Sequence, residues 1–129
     1  ENDLDSNQEN INAPRVLSFV DKEVIAHAFS PEGLLGTLYE DYETREEQRE
    51  MALAVHKAIS QSCNLAVEVG TGVGKSMAYL VPLVYAAKEN GITVGVATKT
   101  NALLDQLVHK ETSLAVKCLR NHLCTFKRL

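Results

Sequence analysis

Hydrophobic residues recur along this chain in two different spacings, and each spacing predicts a different secondary structure. Apolar positions three or four residues apart indicate amphipathic helices, whereas short unbroken apolar runs indicate buried strands. The helical spacing predicts helices at 18–28, just after Ser30, and at 45–62, 74–90 and 101–110. The apolar runs predict strands near 65–69, 92–98 and 114–117. Residues 1–14 are mostly Asn, Asp, Glu, Gln and Ser, so we expect a disordered lead or linker there.

Local signals set the expected ends of these helices. Ser30, which a proline follows, favours a helix start with the serine as N-cap. Thr44 and Glu47 have the spacing of a capping box at the start of the third helix. Gly91 predicts the end of the fourth helix, and Pro82 predicts a kink within it.

The order of these elements predicts the fold class. Strands that alternate with helices at this spacing are typical of a doubly wound parallel α/β sheet. We therefore expect residues 15–129 to form part of one α/β domain with an N-terminal helical lead. Ligands of such sheets bind beyond the carboxyl ends of the strands. The loops at 70–76 and 98–100 are at two such ends.

The most specific motif lies between the first predicted strand and the next helix, and reads Gly70-Thr71-Gly72-Val73-Gly74-Lys75-Ser76. Glycines let backbone N–H groups surround a polyphosphate, and a helix N-terminus adds partial positive charge. We expect Lys75 to reach the β- and γ-phosphates of a nucleotide and Ser76 to coordinate Mg²⁺. The strict form of this phosphate-binding loop has a glycine where this chain has Val69. A glycine-rich turn with an exposed lysine is the simpler alternative.

Composition narrows the class of protein. The hydrophobic fraction is 45% and the net charge is −4. Residues 1–96 hold 7 Lys and Arg against 15 Asp and Glu, whereas residues 97–129 hold 6 against 2. A basic C-terminal third can contact a polyanion, although a solvated basic surface is its more frequent meaning. The three cysteines form no paired secreted framework, and no membrane span or signal peptide is visible, so we expect a cytoplasmic protein.

A second set of candidate residues precedes the loop, with Tyr42, Arg45, Gln48 and Met51 at intervals of three. On a helix start, this spacing brings their polar ends together, near the loop if the helix packs beside the first strand. A glutamine amide can offer a donor and an acceptor to adenine, and a tyrosine ring can stack on its face. An ordinary charged helix would show the same pattern.

A third set of candidates follows the second predicted strand and comprises Thr98, Lys99, Thr100 and Gln106. Hydroxyls and a lysine before a helix N-terminus suit a nucleic-acid phosphate, although a capped turn explains the same residues. Further along, Cys124 lies near basic residues, where a lone cysteine is usually inert or buried.

Together these motifs resemble the DinG/Rad3/XPD group of superfamily 2 DNA helicases, and within it the bacterial DinG-type proteins. The similarity covers roughly residues 29–129. It rests on the run from Phe29 to Leu35, the Tyr–Arg–Gln–Met spacing and the phosphate loop with the Met77–Pro82 stretch after it. The segment 98–107 resembles the family's motif Ia. The segment 117–124 resembles the part that supplies the first cysteine ligand of an iron–sulfur cluster.

The resemblance implies a RecA-like P-loop NTPase fold. It also implies an ATP-dependent helicase that translocates 5′ to 3′ on single-stranded or forked DNA, with a role in DNA repair. By matching position, Arg45 and Gln48 would contact adenine, and residues 70–76 would hold the ATP phosphates and Mg²⁺. Tyr42 is the further nucleotide-binding candidate beside them.

The remaining implied roles concern DNA and the cluster. By matching position, Thr98, Thr100 and Gln106 would contact the DNA strand, and Lys99 among them is a further DNA-binding candidate. Cys124 would be one of four ligands of a 4Fe–4S cluster.

Two other functions stay open, a P-loop kinase or other small NTPase and a non-catalytic module that binds nucleotide or DNA. The arginine–glutamine pattern and the motif Ia-like residues argue against the kinase. No Asp-Glu-Ala-His-type box follows the loop, and further cluster cysteines are absent. We therefore expect a segment of a longer enzyme, cut at the start of the iron–sulfur region and inactive by itself. The sequence does not identify a protein partner.

Overall fold

Helices make up the regular structure of the computed structural model, which describes residues 16–72 and 74–112, with side chains described up to residue 109. The helices are α1 (Lys22–Ala28), α2 (Leu34–Leu38), α3 (Glu46–Ser60), α4 (Lys75–Asn90) and α5 (Asn101–Gln106). A π-helical segment, Leu107–Thr112, continues directly from α5. The predicted lead at 1–14, the predicted strand near 114–117, Val73 and Cys124 lie outside the described residues.

The predicted doubly wound parallel sheet is wrong for the described part of the chain, where no strand forms. A strand exists only through a hydrogen-bonded ladder with a second strand, so an apolar run alone does not make one. The segments at 65–69 and 92–98 are neither helical nor paired in a ladder. Both segments have the apolar residues that favour a strand, but neither has a second strand to pair with among the described residues.

These two segments differ in how much of their surface is covered. Leu65 and Val67, at the start and in the middle of the predicted buried strand, remain 46% and 43% exposed. Residues 92–98 instead alternate between half-buried and exposed positions, as expected of extended backbone with one side turned inward. Val96 is among its inward residues and packs against the helical core.

The core lies between α3 and α4, which pack on each other, with α1 against both. Its buried apolar members come from every helix except α5: Ile25, Ala28, Leu35, Ala52, Met77, Ala78, Leu80 and Val81, with Phe29 after α1 and Leu107 from the π-helical segment. Burial of each large apolar side chain contributes about 1.5–3 kcal/mol. This burial fixes the start of α4 beside the start of α3, which is where the candidate site lies.

Two of the predicted helix caps, at the starts of α2 and α3, are wrong. Ser30 does not start α2, which begins after Gly33; its hydroxyl donates to the His27 carbonyl (2.7 Å) and so closes the end of α1. The capping box at α3 is also wrong, because the N-cap is Arg45 and no side chain caps it. Gly91 ends α4 in the left-handed conformation, as predicted.

Asn90 ties the start of the described chain to the end of α4. Its Oδ1 accepts a hydrogen bond from the Ser18 N–H (2.6 Å), and its Nδ2 donates to the Ser18 carbonyl (2.8 Å). Nδ2 also donates to the carbonyl of Ala86, one turn earlier in α4 (2.9 Å). One side chain therefore satisfies both backbone groups of a residue 72 positions away in sequence.

We predict that Asn90→Ala lowers the free energy of unfolding by about 1–2 kcal/mol, because two backbone groups lose their partner. Urea unfolding measures this change. Asn64→Ala is the matched control, since Asn64 is exposed and its loss should change stability by less than about 0.5 kcal/mol. Equal effects of the two substitutions would contradict the Asn90–Ser18 contact.

Candidate nucleotide site at the start of helix α4

Two glycines give the loop before α4 a backbone course that other residues rarely adopt. Gly72 and Gly74 both have φ of +81°, in the left-handed region. A Cβ added at Gly70 or Gly72 would meet nothing within 4 Å, so this stretch of the loop is open. Gly74 is different, because a Cβ there would collide with Nε2 of Gln48. The loop is thus open at its first two glycines and closely packed against α3 at the third.

The start of α4 has the electrostatic character of an anion site. Its N-cap is Gly74, which has no side chain to occupy the free N–H groups, and its first turn holds no acidic residue. The first N–H groups of a helix have no partner within the helix and carry the positive end of its dipole. This end of α4 therefore presents unneutralised donors beside the open part of the loop.

Lys75 and Ser76 are the first two residues of α4. Lys75 is exposed and Ser76 is half-buried. Within the described residues, neither side chain makes a hydrogen bond or ion pair. An uncommitted ammonium and hydroxyl at a helix start fit a phosphate group and a phosphate-bound Mg²⁺, respectively.

Helix α3 is bonded to this loop by two side chains near its start. Nη1 of Arg45 donates to the Gly72 carbonyl at 2.7 Å, and Nε2 of Gln48 donates to the Gly74 carbonyl at 3.0 Å. The three-residue spacing of these side chains predicted that they lie together near the loop, and the structure brings them there. Both side chains bond carbonyl oxygens of the loop, and so neither of them occupies a loop N–H group.

Gln48 is 4% exposed and has partners at both ends of its amide. Its Oε1 accepts a hydrogen bond from the Tyr42 hydroxyl (3.0 Å), which also lies 3.2 Å from the Phe29 carbonyl. The hydroxyl of Thr44 donates to the same carbonyl at 3.1 Å. Burial raises the pKa of Tyr42 above its usual 10.0, and the charge of Arg45 opposes this increase.

The sequence did not reveal the roles of Thr44 and the Phe29 carbonyl. Thr44 has the residue type and spacing of a helix cap, yet its hydroxyl bonds a carbonyl 15 residues earlier in the chain. A backbone carbonyl leaves no signal in an amino-acid sequence. Only the folded position of the end of α1 brings these groups together.

Two of the candidate DNA residues, Thr98 and Thr100, have local hydrogen bonds. The Thr100 hydroxyl accepts from the Leu103 N–H at 3.2 Å and so caps α5. The Thr98 hydroxyl donates to the Thr100 carbonyl at 3.4 Å. Lys99 and Gln106 are exposed. Much of this segment therefore forms the capped turn that the sequence allowed as the simpler alternative.

Gly70 and Thr71 are exposed within the loop. The described part of the chain contains no group of three or more His, Cys, Asp or Glu side chains able to hold a metal ion. Among the same residues, no helix has the length and apolar character needed to cross a membrane.

Comparison with known proteins connects the chain to helicases. It is 40% identical over 92 residues to the ATP-dependent DNA helicase YoaA of Escherichia coli, a match that covers 71% of the chain and 14% of the relative. It is 44% identical over 79 residues to the ATP-dependent helicase DinG of Mycobacterium tuberculosis, covering 61% of the chain and 12% of the relative.

A third relative, the ATP-dependent DNA helicase DinG of E. coli, is 37% identical over 81 residues, or 61% of the chain and 11% of the relative. The chain thus spans 14% or less of these relatives' lengths. No protein-family model and no solved structure matches the chain. The predicted resemblance is confirmed, because the chain is related to a segment of DinG-type helicases.

We predict that Gly74→Ala destabilises the protein more than Gly72→Ala. Both substitutions force alanine into the left-handed region, at a cost of about 1–2 kcal/mol. Only the first also pushes against Gln48, which is buried and cannot move without breaking its hydrogen bonds. Gly95→Ala is the control, because it has neither a positive φ nor a neighbour within 4 Å. Thermal unfolding ranks the three variants, and equal midpoints for the first two would contradict the close packing at Gly74.

Proposed function

We propose that this chain is the ATP-binding segment of a DinG-like ATP-dependent DNA helicase. The observation that carries the proposal is the start of α4, where free N–H groups, Lys75 and Ser76 lie beside an open glycine loop. The relatives, which are helicases by name, make ATP the best candidate for the phosphate compound. The activity of the whole protein, an enzyme that hydrolyses ATP, is part of this proposal.

The phosphates of ATP would lie along residues 70–76. Backbone N–H groups there would donate to the phosphate oxygens, and Lys75 would neutralise the β- and γ-phosphates as a mobile point charge. The Ser76 hydroxyl would be the protein's ligand to Mg²⁺, the ion that neutralises phosphate charge during transfer of the γ-phosphoryl group.

Arg45 and Gln48 are proposed to contact the adenine base, with the ring of Tyr42 nearby. An amide has two N–H donors and two acceptor lone pairs on its oxygen. Gln48 uses one donor on the Gly74 carbonyl and one lone pair on the Tyr42 hydroxyl. One donor and one acceptor remain for the base, although Gln48 is buried, so the corner around it must open to admit adenine.

DNA is the proposed second partner, in single-stranded or forked form. Thr98, Lys99, Thr100 and Gln106 are proposed to contact its backbone at the start of α5. Lys99 is the one positive charge in this set, so its contact would weaken as salt rises. Cys124 stays the proposed ligand of a 4Fe–4S cluster in the full-length protein, where thiolates would hold the iron.

Lys75→Ala should reduce ATP hydrolysis by the full-length protein at least about 100-fold, because a preorganised cation at the phosphates is lost. A steady-state phosphate-release assay measures the rate. Lys57→Ala is the matched control, since Lys57 is an exposed lysine near the end of α3. Hydrolysis by Lys75→Ala at the rate of the control would contradict the proposed site.

Gln48→Ala should weaken binding of both ATP and GTP, and that of ATP about fivefold more, because only adenine loses its paired amide. Competition binding with the two nucleotides measures the difference. Gln61→Ala, at the exposed C-cap of α3, should change neither affinity. Equal losses of affinity for ATP and GTP would mean that Gln48 supports the loop and does not contact the adenine base.

A further inference from the structure

The hydroxyl of Tyr42 has one proton and two acceptors within reach. Gln48 Oε1 lies 3.0 Å from it and the Phe29 carbonyl 3.2 Å. A phenol has a single O–H and so donates fully to one acceptor at a time. Which acceptor receives the proton decides whether Tyr42 holds the amide of Gln48.

Thr44 shifts this choice toward Gln48. Its hydroxyl donates to the Phe29 carbonyl at 3.1 Å. That carbonyl therefore has a donor without Tyr42, whereas no other described side chain donates to Gln48 Oε1. Leaving the buried Gln48 Oε1 without a donor costs more free energy than leaving the Phe29 carbonyl with the Thr44 hydroxyl as its side-chain donor. The Tyr42 proton is thus directed to Gln48.

The bond from Tyr42 sets the orientation of the Gln48 amide. With Oε1 held by the hydroxyl, Nε2 faces the Gly74 carbonyl at 3.0 Å. If the Gln48 amide rotated by half a turn, Oε1 would face the Gly74 carbonyl oxygen. Two acceptors would then lie opposite each other with no hydrogen between them. Since the Ala78 N–H also bonds this carbonyl at 3.4 Å, the amide orientation bears on the first turn of α4.

We propose that Tyr42 and Thr44 are positioning residues for the phosphate loop and act through Gln48. Thr44 occupies the Phe29 carbonyl, Tyr42 orients the amide, and the amide holds the carbonyl of Gly74. This relay joins the end of α1 to the start of α4 and keeps the loop in its open form. The inference rests on the proposed function, because its consequence for nucleotide binding requires that the loop binds phosphate.

The relay differs from the role expected of Tyr42 by stacking on adenine. Stacking uses the ring, whereas the relay uses the hydroxyl. A tyrosine hydroxyl is protonated, and hence a donor, at neutral pH, and burial raises the pKa of Tyr42 further above its usual 10.0. A substitution that keeps the ring and removes the hydroxyl separates the two roles.

Tyr42→Phe in the full-length protein is the first test. We expect binding of both MgATP and MgGTP to weaken about three- to tenfold, the loss typical of one buried hydrogen bond. Tyr85→Phe is the control, because Tyr85 is also half-buried with a raised pKa but lies toward the end of α4. Affinities of Tyr42→Phe equal to those of the control would overturn the proposal and favour stacking.

A double-mutant cycle with Thr44→Val is the second test. Without the Thr44 hydroxyl, the Tyr42 proton turns to the Phe29 carbonyl, so affinity should fall in the wild-type background and stay unchanged in the Tyr42→Phe background. Thr37→Val is the control, since the Thr37 hydroxyl in α2 makes the same kind of bond to the carbonyl of the N-cap residue Gly33 (3.1 Å). Equal effects of Thr44→Val in both backgrounds would contradict the relay.

Hydrogen exchange in the nucleotide-free protein separates failure of the relay from failure of the proposed function. Tyr42→Phe should speed exchange of the Ala78 amide, which bonds the carbonyl that Gln48 holds. Unchanged exchange would overturn the relay whatever the nucleotide results. If exchange rises while Lys75→Ala binds ATP like the wild type, the relay stands and the proposed phosphate site fails.

Discussion

The side-chain amide of Gln48 is the constraint on which the arrangement around the loop depends. Gln48 is the one buried polar residue in the described part of the chain, at 4% exposure. A buried amide without partners costs about 1–3 kcal/mol, so its two hydrogen bonds must form when the core closes. One of those partners is the loop carbonyl of Gly74. Packing α3 on α4 therefore also sets where the loop begins and where α4 starts.

This constraint explains why an open loop can keep a defined shape. Gly72 and Gly74 have left-handed backbone, which glycine adopts without steric cost but also leaves readily. The hydrogen bonds from Arg45 and Gln48 engage the carbonyls of these two glycines. Because side chains bind the carbonyls, the N–H groups stay available for an anion. Preorganised donors of this kind bind a phosphate without reordering at the moment of binding.

Helices that are long and strongly periodic were predicted well. The third and fourth helices, expected at 45–62 and 74–90, form as α3 and α4, and Gly91 ends α4 as its left-handed preference requires. The spacing of Arg45 and Gln48 also predicted their closeness to the loop. These features depend on residues a few positions apart, so they can be predicted from the local sequence pattern.

The predicted sheet and the two predicted N-caps were wrong because these features depend on distant partners as well as on local sequence. An apolar run becomes a strand only beside another strand, and none pairs with 65–69 or 92–98 in the described chain. Ser30 and Thr44 have the residue type of N-caps, yet their hydroxyls bond the carbonyls of His27 and Phe29 at the end of α1. Tertiary contact with α1 replaced the local role that Thr44 could have had at α3.

A crystal structure of the full-length protein with Mg²⁺ and a non-hydrolysable ATP analogue would locate the phosphates relative to the loop. We expect the β- and γ-phosphates at the N-terminus of α4, with Lys75 Nζ bonded to phosphate oxygens and the Ser76 hydroxyl on the Mg²⁺. We also expect Gln48 Nε2 to keep its bond to the Gly74 carbonyl. Phosphates bound elsewhere, with the loop at 70–76 unchanged and empty, would contradict the proposed nucleotide site.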